Sequence, residues 1–178
     1  GEVVWRGLES TGPADGRIAL YLADHYPQLA PPIEPVDDRV ANSVREALRD
    51  RGGLHFDQLC AAVKDFPNDL LEVLWQLVWN GEVTNDTLSP LRSLRAATAA
   101  QARRRERSAS RFRSRRTGRL PGSEGRWSLL PDLTAEGMPT VTERQMATAG
   151  QLVERYGILT REMLARENVI GGFSGVYP

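Results

Sequence analysis

The first residues of the chain have the pattern of two β-strands followed by an extended linker. Two runs rich in β-branched and aromatic residues, 2–8 and 17–22, flank a turn-rich stretch that ends at Asp15-Gly16. Such a pattern predicts a β-hairpin. Four prolines follow between Pro27 and Pro35, and because proline fixes φ and lacks an N–H donor, they predict an extended segment. We therefore expect a hairpin and a proline-rich linker over residues 1–35.

The chain after the linker has the apolar periodicity of two helices joined by a short strand. Val40, Val44 and Leu48 recur at four-residue spacing and share one face of a first helix. Asp37 or Asp38 can cap the start of this helix. A strand of three residues and a second helix follow.

A third helix carries an apolar stripe over residues 70–78 and ends at Asn80-Gly81. The β-rich runs 82–87 and 125–130 then predict two strands. A winged helix has this order of elements: helix, strand, helix, helix, strand, loop and strand. We therefore predict a winged helix over residues 36–131, with its last two strands joined by a long wing.

A weaker copy of this pattern begins at residue 132. Thr142 and Gln145 can form a capping box, and residues 155–164 align with residues 51–60 at the turn before the second helix. The helical face that follows the box is apolar at Met146, Ala149, Val153 and Tyr156. We expect residues 132–178 to be the first part of a second winged helix, truncated, in a fragment of a longer protein. The predicted fold class is α+β and mainly helical, with tandem winged-helix modules preceded by a β-hairpin.

Charge is divided unevenly along a chain whose formal net charge is zero. Residues 1–91 carry 7 basic and 15 acidic residues, whereas residues 92–126 carry 12 arginines and 2 glutamates. Residues 127–178 carry 4 arginines and 6 acidic residues. An acidic body with one basic segment is typical of a protein that contacts a polyanion. The ratio of 22 arginines to one lysine shows that arginine is favoured along the whole chain, so composition alone does not decide the point.

The basic segment coincides with the predicted wing, about residues 92–125. An arginine that pairs with a phosphate releases counterions, so such a wing would bind a nucleic-acid backbone. Phe112 is the only aromatic residue among these arginines, so the segment lacks a platform for stacking bases, which predicts affinity rather than choice of sequence. The alternative is a solvated loop without a ligand. The candidate nucleic-acid contacts are Arg103, Arg104, Arg105, Arg107, Arg111, Arg113, Arg115, Arg116 and Arg119.

The third helix would be the recognition helix of a sequence-reading winged helix. Its exposed side carries Asp69 and Glu72 and no basic residue, so we do not expect it to enter a groove. Trp75 and Trp79, four residues apart, could stack on bases or pack against a neighbouring module, and we favour packing between modules.

The residues needed for common catalytic and metal sites are scarce. Cys60 is the single cysteine and His55 is one of two histidines, which excludes a zinc site and a Cys/His pair. There is no phosphate-binding loop around the only lysine. Asp86, after Asn85, could polarise a water or bond its own turn, and we favour the turn. We predict no catalytic residue, no metal and no cofactor in these residues.

We find neither a signal peptide nor an apolar run of the roughly 18 residues that span a bilayer. We therefore expect a cytoplasmic protein that does not contact a membrane.

Three stretches together resemble the large helicase-related (Lhr) family. They are residues 74–87 with Pro90-Leu91-Arg92, residues 125–129, and Gly171-Gly172-Phe173 with Val176-Tyr177-Pro178. In this order, with an arginine-rich insert, they are similar to the carboxy-terminal region of the bacterial long-form proteins. The resemblance covers most of residues 36–178.

The resemblance implies that the chain is part of a superfamily 2 ATP-dependent DNA helicase that acts in DNA repair. The motor, which binds ATP and magnesium, would lie outside these residues. The resemblance also implies an array of winged helices with a β-barrel, similar to winged-helix DNA glycosylases of the alkylpurine type. Some members are associated with uracil glycosylase activity, but none of the family's catalytic residues matches a position here.

The sequence is compatible with three functions. The first is DNA binding and scaffolding, in which the chain contacts DNA and other modules of the same chain. The second is part of a glycosylase domain whose catalytic carboxylate lies elsewhere. The third is a homo-oligomerisation module.

Overall fold

The computed structural model describes residues 3–33, 35–106, 119–131, 139–167, 169 and 171–176, with the backbone alone for residues 101–106. The chain forms two compact units: residues 3–20 with 33–132, and residues 1–2, 21–32 and 133–178. Most of the hairpin, residues 3–20, therefore belongs to the same unit as residues 33–132. The division into domains at residues 1–35, 36–131 and 132–178 stays a prediction.

The helices and strands of the described residues are, in chain order, β1 (Val3–Gly12), β2 (Asp15–Leu22), α1 (Tyr26–Leu29), α2 (Arg39–Arg51), β3 (Leu54–His55), α3 (Phe56–Val63), α4 (Pro67–Trp79), β4 (Val83–Asn85), α5 (Ser89–Glu106), β5 (Arg126–Leu129), α6 (Val141–Tyr156), α7 (Arg161–Arg166) and α8 (Gly172–Val176). Strands β1 and β2 form a hairpin, and β5 lies between β3 and β4, antiparallel to both. The order from α2 to β5 with this sheet is a winged helix, as predicted.

The core of the larger unit lies between α2, α3, α4 and the three-stranded sheet. Asp38 begins α2, because its side chain accepts hydrogen bonds from the N–H groups of Val40 and Ala41. Gly52 ends α2 with a positive φ of 72° that side chains disfavour. The apolar stripes of α2 and α4 meet around Trp127, which is fully buried.

A buried ion pair ties the end of α4 to α2 and to the linker. The Arg45 guanidinium donates to both carboxylate oxygens of Glu82, at 2.6 and 3.0 Å. The Asn80 amide and the Val36 N–H donate to the same carboxylate. Burial raises the pKa of Glu82, but these hydrogen bonds outweigh it and hold the pKa below the usual value of 4.5. Glu82 is therefore a charged structural residue.

The hairpin covers α4 and the edge of β4. The Trp5 indole N–H donates to the carbonyl of Asn85 at 2.6 Å, and the Thr84 hydroxyl donates to the carbonyl of Trp5 at 2.6 Å. A side chain at Gly7 would collide with the carbonyl of Val78 on α4. The hairpin backbone thus packs directly on the C-terminal half of α4.

The stretch between β4 and β5, predicted as a loop over about residues 92–125, begins instead as the 18-residue helix α5. The arginine content predicts a wing, but residues 96–102 are rich in alanine, the strongest helix former, and this propensity favours a helix. Residues 107–118 of the predicted wing lie outside the described residues.

The smaller unit contains α1, α6, α7 and α8. The capping box of α6 uses Thr140 and Glu143, so the predicted box at Thr142 and Gln145 is wrong. The extended backbone that a cap requires occurs at Thr140, two residues earlier.

The predicted inward face of α6 is largely exposed. Met146 is 70% exposed, and Val153 and Tyr156 are also exposed, whereas Leu152 and Leu164 are buried. Helices α1 and α8 pack against α6. Tandem winged helices therefore stay a prediction.

Candidate nucleic-acid interface

The predicted arginine contacts fall in three groups. Arg103–Arg105 lie in the last turn of α5, and Arg119 is exposed in the approach to β5. Outside the described residues lie Arg107, Arg111, Arg113, Arg115 and Arg116. The structure thus places the start and the end of the basic segment, and the role of all nine arginines stays a prediction.

Both ends of the basic segment are joined by a small polar network. The Ser93 hydroxyl, on α5, donates to the carboxylate of Glu124 at 2.7 Å. The N–H of Gly122 donates to the Ser93 hydroxyl at 2.7 Å and to Glu124 at 3.1 Å. Because Glu124 directly precedes the β5 region, the helix that leaves the sheet and the chain that returns to it are fastened together.

Two further arginines lie at the base of α5. Arg92 and Arg95 are exposed, and Arg95 makes only a long, solvent-exposed ion pair of 3.6 Å with Asp15, of the kind that contributes little to stability. Both belong to the basic segment of residues 92–126 but not to the nine predicted contacts. Their three-residue spacing before an alanine-rich run is the signal that could have identified them.

The two tryptophans of α4 are engaged inside the larger unit. The Trp75 indole is buried, donates to the carbonyl of Gly122 at 3.1 Å, and meets Trp127 edge-on at 5.7 Å between ring centroids. Trp79 lies 5.3 Å from Trp75, and the hairpin approaches its indole so closely at Gly16 that a Cβ there would clash. These contacts leave little of either ring for stacking on a base, and a role between modules stays a prediction.

The polar side chains after β4 organise the turn. Asn85 accepts the N–H of Thr87 at 3.0 Å and donates to the carbonyl of Glu124 at 2.9 Å. Asp86 accepts the backbone N–H of Arg126 at 2.9 Å. These contacts agree with the turn interpretation of Asp86. Gly125, with a φ of 75°, allows the close approach, since a Cβ there would collide with Asn85.

The other candidate catalytic groups are also in structural positions. His55 places its Nδ1 2.8 Å from the carbonyl of Gly125. Burial, with a smaller contribution from Asp57, raises the pKa of the Cys60 thiol, which disfavours the reactive thiolate. In the part of the chain that the structure describes, no group of three or more His, Cys, Asp or Glu residues could hold a metal ion.

Within the described ranges, no helix combines the length and the apolar character needed to cross a membrane.

The fold defines the class of the protein: the larger unit is a winged-helix domain in a mixed α+β chain that is mainly helical. Residues 138–178, in the smaller unit, match the family described as "Large helicase-related protein, winged-helix domain". The chain is 33% identical, over 97% of its length, to the "Lhr helicase/uracil glycosylase" of Escherichia coli (strain K12). It is 34% identical, over 99% of its length, to the "Lhr helicase/ probable uracil glycosylase" of Mycolicibacterium smegmatis (strain ATCC 700084 / mc(2)155).

The chain belongs to the large helicase-related family, and the resemblance drawn from the sequence is confirmed. It spans 12% of the length of each of these relatives. It therefore corresponds to one part of an Lhr-type protein.

Proposed function

We propose that the chain is a DNA-binding and scaffolding part of a superfamily 2 ATP-dependent helicase that acts in DNA repair. The observation that carries this proposal is the charge of residues 92–126, where 12 arginines meet 2 glutamates, in a segment whose two ends are fastened to a winged helix through Ser93 and Glu124. Arginines held on a fixed base can pair with phosphates at a defined distance from the domain.

The charge of the rest of the domain supports the same assignment. Asp69 and Glu72 are exposed on α4, and α4 contains no basic residue. A carboxylate near a phosphate backbone repels it, so the usual recognition helix of a winged helix is unsuited to DNA here. The arginine-rich segment is the surface on which DNA binding depends in this proposal.

The remaining partners and cofactors belong to the same proposal. ATP and magnesium act at a motor outside these residues, and the residues described here hold no cofactor of their own. The acidic surfaces contact other modules of the same chain, and the protein acts in the cytoplasm. Self-association into a homo-oligomer is the alternative use of these surfaces.

The test measures binding of labelled single-stranded and duplex DNA by fluorescence anisotropy at several salt concentrations. One variant replaces the nine predicted arginines by glutamine, which keeps the length of the segment. A control variant replaces Arg49 and Arg51, two exposed arginines of α2, in the same way.

We expect the salt dependence of the wild-type protein to be steep, to collapse in the nine-residue variant and to persist in the control. Equal binding by all three proteins would reject the proposal. Oligomers that form by light scattering without any DNA binding would favour the self-association alternative.

The second candidate function is participation in a DNA glycosylase, which the names of both relatives favour. Asp86 already holds the backbone of β5, so we place the catalytic carboxylate outside these residues. Release of uracil from DNA by a longer protein that contains this chain would support the candidate. The chain alone should release no base.

A further inference from the structure

Helix α5 leaves the winged-helix body after its second turn. Leu91 and Leu94, in its first turns, pack against the core. From Arg95 to Ala100 every residue is exposed except Ala97, which is half-buried. The helix continues through these residues to Glu106, so the exposed stretch 95–100 is held by intrinsic helix propensity rather than by packing. Residues 95–100 are therefore accessible around most of the circumference of the helix.

The exposed part of α5 is unusually slim. Residues 96–102 contain five alanines together with Thr98 and Gln101. Alanine is the best helix former and carries the smallest side chain that can still stabilise a helix. The sequence thus maintains a helix in solvent while keeping its diameter near the lower end of the usual range of about 10–12 Å.

Arginine positions stand at both ends of one face of α5. Arg92 and Arg103 are eleven positions apart, which is three helical turns and about 16 Å along the axis, and Arg95 lies one turn from Arg92. Ala96 and Ala99 occupy the same face between them and are exposed. This face is cationic at its ends and small and apolar in its middle.

We propose that α5, rather than α4, is the helix of this domain that enters the major groove of duplex DNA. The inference rests on the proposed function, which it makes specific. The major groove of B-DNA is about 12 Å wide and admits a helix of about 10–12 Å diameter that lies along it. The arginine positions, about 16 Å apart on the helix axis, are then spaced along the groove, where arginine side chains can reach the phosphates that line it. The alanines then lie over the base edges, where they form apolar contacts and no directional hydrogen bonds. The deep, narrow major groove of A-form RNA excludes the same helix.

This arrangement explains two features of the domain together. The third helix, α4, is acidic on its exposed side and covered by the hairpin at Gly7 and Gly16, so it has no free basic face for a groove. The insertion between β4 and β5 supplies a replacement helix that projects from the same domain. Because the contacts are to phosphates and to apolar base surfaces, we expect little preference for DNA sequence.

The experiment compares Ala99→Glu on α5 with Gln76→Glu on α4. Both positions are exposed, both changes add one negative charge, and glutamate is a good helix former at each. Circular dichroism and thermal unfolding show whether each variant keeps its helices. We expect the affinity for a short duplex to fall by about tenfold or more in Ala99→Glu and by no more than about twofold in Gln76→Glu.

A second arm keeps the protein constant and changes the DNA. In one duplex the cytosines carry glucosylated hydroxymethyl groups, which fill the major groove and leave the phosphates unchanged. We expect about tenfold weaker binding to this duplex than to the unmodified one.

The outcomes separate the two proposals. Equal losses in the two glutamate variants, a larger loss in Gln76→Glu, or equal binding to the two duplexes would overturn the groove assignment. In each case a steep salt dependence would leave the proposed phosphate contact standing. Absence of salt-dependent binding by the wild-type protein would overturn both.

Discussion

Two helices of the same domain, α4 and α5, differ in how they are packed and in the charge they carry. Helix α4 buries Leu70, Leu74, Leu77 and Val78 and is covered by the hairpin, whereas α5 packs on the core through Leu91 and Leu94 and is exposed over residues 95–100 except at Ala97. One helix is apolar and acidic, and the other is alanine-rich and basic. The difference teaches that the position of a helix in the fold does not assign its function; burial and charge do.

The comparison predicts that truncation of α4 is costly. Leu74 is fully buried in the centre of the core, so Leu74→Ala removes apolar contacts and leaves a cavity. We expect a loss of about 2–5 kcal/mol in the free energy of unfolding, measured by urea denaturation. A loss below about 1 kcal/mol would mean that α4 is not the packed helix described here.

The ion pair at the end of α4 predicts an acid-sensitive contribution to stability. Glu82→Gln removes the charge that pairs with Arg45, and we expect a loss of about 1.5–3 kcal/mol at neutral pH. Because the folded-state pKa of Glu82 is lowered from 4.5, its contribution is complete above the unfolded pKa and is lost as pH falls through the folded value.

The measurement is the unfolding temperature from pH 7 down to pH 3. We expect the difference between wild type and Glu82→Gln to shrink below about pH 4.5. A difference that stays constant over this range would show that the charge of Glu82 plays no part.

A substitution in the hairpin can disturb the packing of the hairpin on α4. A methyl group in Gly7→Ala would meet the carbonyl of Val78, and backbone cannot yield as a side chain can. We expect a loss of about 1–3 kcal/mol, together with a change in tryptophan fluorescence, because Trp5 and Trp79 lie at this contact. Gly12→Ala, at a position with open space around it, is the control. Equal effects of the two changes would contradict the direct packing of hairpin on helix.

The smallest effect on folding is expected on α5. Ala100→Gly lowers the helix propensity of an exposed position by about 1 kcal/mol. We expect slightly less helix by circular dichroism, weaker DNA binding and an unchanged urea midpoint, since no core contact is lost. A shifted midpoint would show that the distal half of α5 packs on the domain.

The sequence predicts much of the winged helix, because its local signals agree with its tertiary packing. Asp38 and Gly52 bound α2 as a cap and a stop, and the stripe of α4 is buried as its periodicity requires. The paired strands follow from the β-rich runs on either side of the basic segment.

The misses have physical causes. Helix α5 has alternating arginine and alanine blocks rather than an apolar face, so periodicity does not reveal it, although propensity does. In α6, Met146 and Val153 are exposed, because a helix of small and apolar residues can bury more than one side and the sequence does not say which. The turn formed by Asn85, Gly125 and Arg126 joins residues about forty positions apart, which local patterns cannot detect.

The joint between β4 and β5 has a consequence for how this domain can evolve. The Ser93 hydroxyl on α5 donates to the carboxylate of Glu124 at 2.7 Å, so the chain between these two residues departs from the domain and returns to it at one hydrogen-bonded place. Each doubling in the length of such an excursion costs only about 0.6 kcal/mol of closure entropy. Because Leu94 and Leu120 still pack on the core, insertions and deletions can accumulate between them while the sheet and core stay intact, which makes this stretch a natural site for lineages to vary the length of the chain.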